Sequence, residues 1–132
     1  MQRVRKQVSC PSIGNIETKP VTIAFLDTGA EKHPDFSDRI IAFKDFINGK
    51  KEAYDDSGHG THVCGIAAGD GNASKGKYCG IAPTSRIVMG KVLDRNGDGL
   101  ADQMIKGLDW IIEVREQFDI SIVNISVGIG NL

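Results

Sequence analysis

Apolar residues in this chain come in short blocks, separated by polar stretches rich in glycine, aspartate and asparagine. Residues 21–26 form one such block, mostly β-formers, that stops at Asp27-Thr28-Gly29. A run of this length without alternation predicts a strand buried on both faces, as in a parallel sheet. Residues 39–46, 86–93 and 120–127 predict three more strands, the second of these followed by the polar turn 94–99. Helical spacing fills the gaps. Residues 59–68 predict a helix with Val63, Ile66 and Ala67 on one face and Gly69 as its stop. Residues 103–117 predict a second helix, with Asp102 as N-cap and Met104, Ile105, Leu108, Ile111 and Ile112 as its apolar stripe. This alternation predicts an α/β fold: a doubly wound, mostly parallel sheet with helices on both faces. Residues 1–20, polar and punctuated by Pro11 and Pro20, predict an N-terminal arm ahead of a domain segment at 21–132.

Charge changes the picture only by exclusion. The 132 residues carry 16 Lys+Arg against 17 Asp+Glu, a formal net charge of −1. No basic excess exists to release counterions from nucleic acid or to hold an anionic membrane, so neither is an expected partner. Apolar residues at 40% and charged residues at 25% fit a globular chain. No stretch reaches the ~20 consecutive apolar residues of a spanning helix. The basic start is followed by no apolar segment, so no secretory leader is visible, and Cys10, Cys64 and Cys79 form no Cys-x-x-Cys pair. A cytoplasmic location with reduced thiols is the expectation.

Functional groups in such sheets collect at the carboxyl ends of the strands, which is where Asp27 falls. A carboxylate directly after a buried strand is poorly solvated and needs a partner. The second feature is Gly58-His59-Gly60-Thr61-His62-Val63-Cys64-Gly65. His59 opens a helix between glycines that permit close backbone approach. A helix N-terminus disfavours an imidazolium, so a base there needs a carboxylate to stabilise the charge it acquires. Asp27 is the natural candidate.

These residues, with His33-Pro34-Asp35, Gly80-Ile81-Ala82-Pro83, Lys91-Val92-Leu93 and Val123-Asn124-Ile125-Ser126-Val127-Gly128, resemble the subtilisin-like serine proteases, or subtilases. The resemblance covers residues 20–130 and is nearest to leaderless bacterial members of the intracellular alkaline-protease type. It implies a subtilisin-like serine endopeptidase that hydrolyses polypeptides and needs no cofactor for its chemistry. Asp27 is then the triad carboxylate and His59 the general base, with His62 packed behind the site. Gly97, Asp98 and Gly99 match the segment that pairs with an extended substrate as an added strand. Ser126, Val127 and Gly128 match the opposite wall of the specificity pocket. Asp35 matches a calcium ligand of many members, so a structural calcium is also implied. The family's nucleophile lies in a later Gly-Thr-Ser-Met-Ala segment, and none of the serines here has that context. The chain is therefore expected to be the N-terminal part of a truncated catalytic domain, partnered by a missing C-terminal half and inactive alone.

Three other readings remain open at this point. Ala24 to Ala30 also resembles the active-site turn of a retropepsin-like aspartic protease, in which two copies of Asp27 would share a proton. Asp94, Asn96, Asp98 and Gly99 fit the first half of a calcium-binding loop, although Ile105 stands where a bidentate acid belongs. A binding-only pseudoprotease is the third.

Overall fold

A computed structural model describes residues 2–10 and 19–128. The elements are α1 (Gln2–Gln7), β1 (Thr22–Asp27), β2 (Ile40–Asp45), α2 (His59–Ala68), a 3-10 turn (Asn72–Ser74), β3 (Arg86–Lys91), α3 (Ala101–Phe118) and β4 (Ile120–Ile125). The four strands form one sheet in the order β2-β3-β1-β4, and every pairing is parallel.

β1 is central, and all six of its residues are buried. Because strand side chains alternate between faces, one apolar run serves two cores. Ile23 and Phe25 join Ile87, Met89, Phe36, Cys64 and Ala68 under α2. Ala24 and Leu26 join Val88, Val92 and Ile111 under α3. The expected doubly wound arrangement is thus present, with one helix on each face. β2 and β3 are joined through α2, whereas the chain crosses from β3 through α3 to the far side of β1. Asp27 stands at the carboxyl end of β1, between the strands from which these connections leave and to which they return.

Several boundaries differ from the sequence reading. β3 stops at Lys91, because the chain turns there and both Val92 and Leu93 donate their N–H groups to the Asp27 carbonyl (3.0 and 3.2 Å). α3 opens at Ala101 and is capped by Leu100, not by Asp102. The Gln103 side chain accepts the Leu100 N–H at 2.9 Å, closing the first turn and leaving Asp102 inside it, where its charge suits the helix dipole. The buried face of α2 is Gly60, Cys64 and Ala68, spaced four apart, and Ile66 lies exposed instead. The arm contains a helix, α1, whose Arg5 guanidinium bonds the Gly80 carbonyl. The part of the arm at 11–18 and the last domain residues, 129–132, lie outside the described residues. β4 is an edge strand with Ile122, Val123 and Ile125 exposed by 42–49%. Among the described residues no helix is long and apolar enough to cross a membrane.

Candidate active site

The carboxyl end of β1 and the amino end of α2 meet at a contact that only glycine permits. A Cβ on Gly60 would sit 2.1 Å from the Gly29 carbonyl oxygen, far inside van der Waals contact. Gly29 itself has φ +130, a conformation that L side chains rarely adopt. With both side chains absent, the first turn of α2 lies directly on the Asp27-Thr28-Gly29 turn.

That approach joins Asp27 to His59. The imidazole Nδ1 is 2.7 Å from Asp27 Oδ1, which also accepts the Thr28 N–H at 2.7 Å. A carboxylate can only accept, so Nδ1 carries a proton, and it is Nε2 that offers a lone pair when the imidazole is neutral. The Asp27 side chain is fully buried, while the imidazole is 50% exposed. No described residue bonds Nε2. The pair is therefore a base anchored on one nitrogen and open on the other. Asp27 Oδ2 is buried with no partner among the described residues.

Two residues that sequence reasoning passed over hold the helix start. Gly58 caps α2 in a left-handed conformation without a side chain to offer. The free amide donators of the first turn are instead satisfied from elsewhere: Gly60 N–H donates to the Thr28 hydroxyl (2.9 Å), and Thr61 N–H to Asp55 (2.9 Å). Asp55 also accepts the hydroxyls of Thr28 (2.9 Å) and Thr61 (2.6 Å). An acid four residues before a predicted helix start was the available signal.

Burial pushes the Asp55 carboxyl up, but hydrogen bonds from Thr61, Gly58 and Thr28 outweigh it and hold the group below its ordinary 3.8. Asp45 shows the same balance: burial raises it, and the Tyr54 hydroxyl with the amides of Asn48, Ile47 and Lys50 outweighs that and holds it below its ordinary value. A carboxyl depressed by folding contributes stability that is complete above its unfolded value and is lost as pH falls through its folded value. The unfolding midpoint in denaturant is therefore expected to be flat above about pH 5 and to fall below about pH 4. Asp55→Asn should lower the plateau and flatten that slope; an acid slope unchanged by the substitution would remove Asp55 from this role.

The other predicted residues divide. Gly97, Asp98 and Gly99 are exposed beyond β3, and Ser126, Val127 and Gly128 follow β4, so the two segments leave the carboxyl ends of strands on either side of β1. Asn124 is a β4 residue that donates to Ser126 Oγ at 2.8 Å. His62 does not pack behind the site; it is exposed and lines a surface groove with His33 and Tyr78. Calcium ligands must turn free oxygen lone pairs toward one point. Asp35 Oδ1 instead accepts the Ala73 N–H at 2.6 Å, and the Asp35 carbonyl accepts Arg39 (2.5 Å) and the Asp70 N–H (3.0 Å). Among the described residues no three His, Cys, Asp or Glu side chains converge there. Asp94 turns Oδ1 onto the amides of Asn96 and Asp98, closing a turn. Cys64 is a buried core residue whose thiol burial pushes up.

Residues 18–131 match the Subtilase family, Peptidase_S8. The chain belongs to the subtilase family. It is 43% identical over 113 residues to the serine protease AprX of Bacillus subtilis, covering 83% of this chain and 26% of that protein. It is 38% identical over 120 residues to the major intracellular serine protease of the same organism, covering 86% of this chain and 35% of that one. Among solved structures, the CspB protease of Clostridium perfringens superposes with a TM-score of 0.76 at 30% identity, over 94% of this chain and 33% of the other. A cold-adapted subtilisin-like serine proteinase gives 0.71 at 30% identity, over 89% and 40%. This subtilase chain thus spans about a quarter to two fifths of these four proteins. An all-β aspartic protease is excluded by the parallel sheet and its crossover helices, and by an Asp27 engaged with an imidazole.

Proposed function

We propose that this subtilase segment is the Asp-and-His part of a serine endopeptidase that cleaves extended polypeptides in the cytoplasm. The observation that carries the reading is the 2.7 Å bond from His59 Nδ1 to a fully buried Asp27, with Nε2 left open. His59 would take the proton of a serine hydroxyl supplied by a later segment. That oxygen would attack the scissile carbonyl, and His59 would then pass the proton to the departing amine. Asp27 holds the tautomer and stabilises the imidazolium. No cofactor enters these steps. Gly97, Asp98 and Gly99 on one side and Ser126, Val127 and Gly128 on the other would flank the substrate as strand-pairing walls. The intracellular serine proteases of Bacillus subtilis and Paenibacillus polymyxa among the relatives support the location, although an extracellular protease is also among them.

No described serine bonds His59, so the 132-residue chain alone is expected to hydrolyse no peptide and to take no label from a serine-directed fluorophosphonate. The whole protein is expected to take one label per chain and to lose it with His59→Ala. Stoichiometric labelling of the isolated chain, or none of the whole protein, overturns the proposal.

A further inference from the structure

Lys91 is the last residue of β3, and no part of it is exposed. Lysine is almost never found in that state without partners. Its position in the sheet is specific: Lys91 is in register with Asp27 on β1 and with Asp45 on β2. Three ionisable residues thus close three neighbouring strands at one level. In-register parallel neighbours point to the same face, here the α2 face.

The ammonium has three N–H donors, and all three are used. They reach the Thr28 carbonyl (2.5 Å), Asp56 Oδ1 (2.7 Å) and the Leu93 carbonyl (2.9 Å). Each acceptor belongs to a different segment. Thr28 is in the turn that carries Asp27, Asp56 is in the loop that leads into His59, and Leu93 begins the exit from β3 toward Gly97. The Tyr54 ring centroid lies 5.2 Å from Nζ, and its hydroxyl donates to Asp45 at 2.7 Å. Burying a charge is costly, and satisfying every donor offsets it. An apolar side chain of the same length would fill the space but leave two buried carbonyls unbonded.

We propose that Lys91 is a positioning residue, a buried ammonium clamp that fixes the Asp27 turn and the His59 loop at one separation through Thr28 and Asp56. Asp27 and His59 come from segments 32 residues apart, and a base and its carboxylate work only within a narrow geometry. Asp55 fastens the same loop to the helix start, and Lys91 fastens it to the sheet.

The clamp rests on the proposed peptidase reading only for its effect on rate, so the test has a readout that needs no substrate. In the whole protein, the downfield proton resonance of His59 Nδ1–H reports its bond to Asp27. Asp56→Ala removes the acceptor at a side chain that is 38% exposed. It is expected to broaden that resonance and to lower kcat about tenfold, with KM changed less than twofold. Asp56→Asn keeps an acceptor and is expected to hold both near the wild-type values. Lys91→Met should act in the direction of Asp56→Ala and more strongly; if it does not fold, the two Asp56 variants decide. A sharp resonance with full kcat in Asp56→Ala, or an equal loss in Asp56→Asn and Asp56→Ala, overturns the clamp. A wild-type protein that cleaves no peptide refutes the peptidase reading alone and leaves the resonance to judge the clamp.

Discussion

Replacing Asp27 by asparagine in the whole protein is expected to lower kcat roughly 10⁴-fold, the order known for this change in a serine protease triad, with KM nearly unchanged. The substitution is isosteric, but Asp27 Oδ1 serves both the Thr28 N–H and His59 Nδ1, so an amide NH2 turned toward the imidazole gives up the Thr28 bond. What changes is the proton. An amide can donate to Nδ1, which moves the imidazole proton to Nε2 and removes the lone pair that faces the open side of the site. The imidazolium formed during attack also loses its counter-charge in a position sealed from water, where Coulomb attraction is least screened. His59→Ala removes the base itself and is expected to cost roughly 10⁶, the order measured in subtilisin, another member of the family. The double substitution should be no worse than His59→Ala, because the two residues act as one unit. Steady-state rates on a peptide substrate decide it. Activity of Asp27→Asn within tenfold of wild type would mean that the 2.7 Å contact is structural and not catalytic.

Much of this was legible in the chain because the signals are local. The run at 21–26, apolar but for Thr22, announces a strand buried on both faces, and β1 is the one strand among those described that is buried along its whole length. The polar stop at Asp27 and the glycines around His59 place both residues at element ends. Sequence order alone could not say that β1 lies between β3 and β4, which sets the segments that follow those strands on either side of Asp27. The roles of Asp55, Thr28 and Lys91 were hidden for the same reason. Each holds segments that are distant in sequence, so nothing in the local pattern separates Lys91 from the end of an ordinary strand. α1 was missed because a helix of six mostly polar residues has no apolar period to detect. Leu100 was missed as a cap because the bonding group is the Gln103 side chain, three residues on, and leucine is outside the usual capping set. His62, which the resemblance sets behind the site, is turned away from it. Three positions along a helix is about 300° of rotation, and the buried stripe is already taken by Gly60, Cys64 and Ala68.

Adding one methyl group at Gly60 should disrupt both stability and geometry. Alanine is favoured over glycine inside a helix by about 1 kcal/mol, which taken alone predicts that Gly60→Ala stabilises. The steric term opposes it and is larger. The new Cβ would meet the Gly29 carbonyl oxygen at 2.1 Å and Asp27 Oδ1 and the Gly29 amide at 3.1 Å. Two of those three atoms are backbone, in a turn already fixed by Lys91 and by the Ala30 N–H bond to the Tyr54 carbonyl (3.1 Å). Neither side can give, so the first turn of α2 must lift off β1. Overpacking of this kind costs about 1–3 kcal/mol, and at the upper end for contact with backbone, so a net loss of about 2 kcal/mol is expected by denaturant unfolding. The displacement acts directly on the dyad, since His59 precedes Gly60 and Asp27 is one of the atoms struck. A shift near 1 Å is worth about 10²-fold in rate. Gly65→Ala is the internal control: it lies on the same helix with nothing within 4 Å of the added Cβ, and should be neutral or stabilise by up to about 1 kcal/mol. If the two substitutions have the same sign and size, helix propensity governs both positions, and the close approach of α2 to the Asp27 turn is not what sets the separation of base and carboxylate.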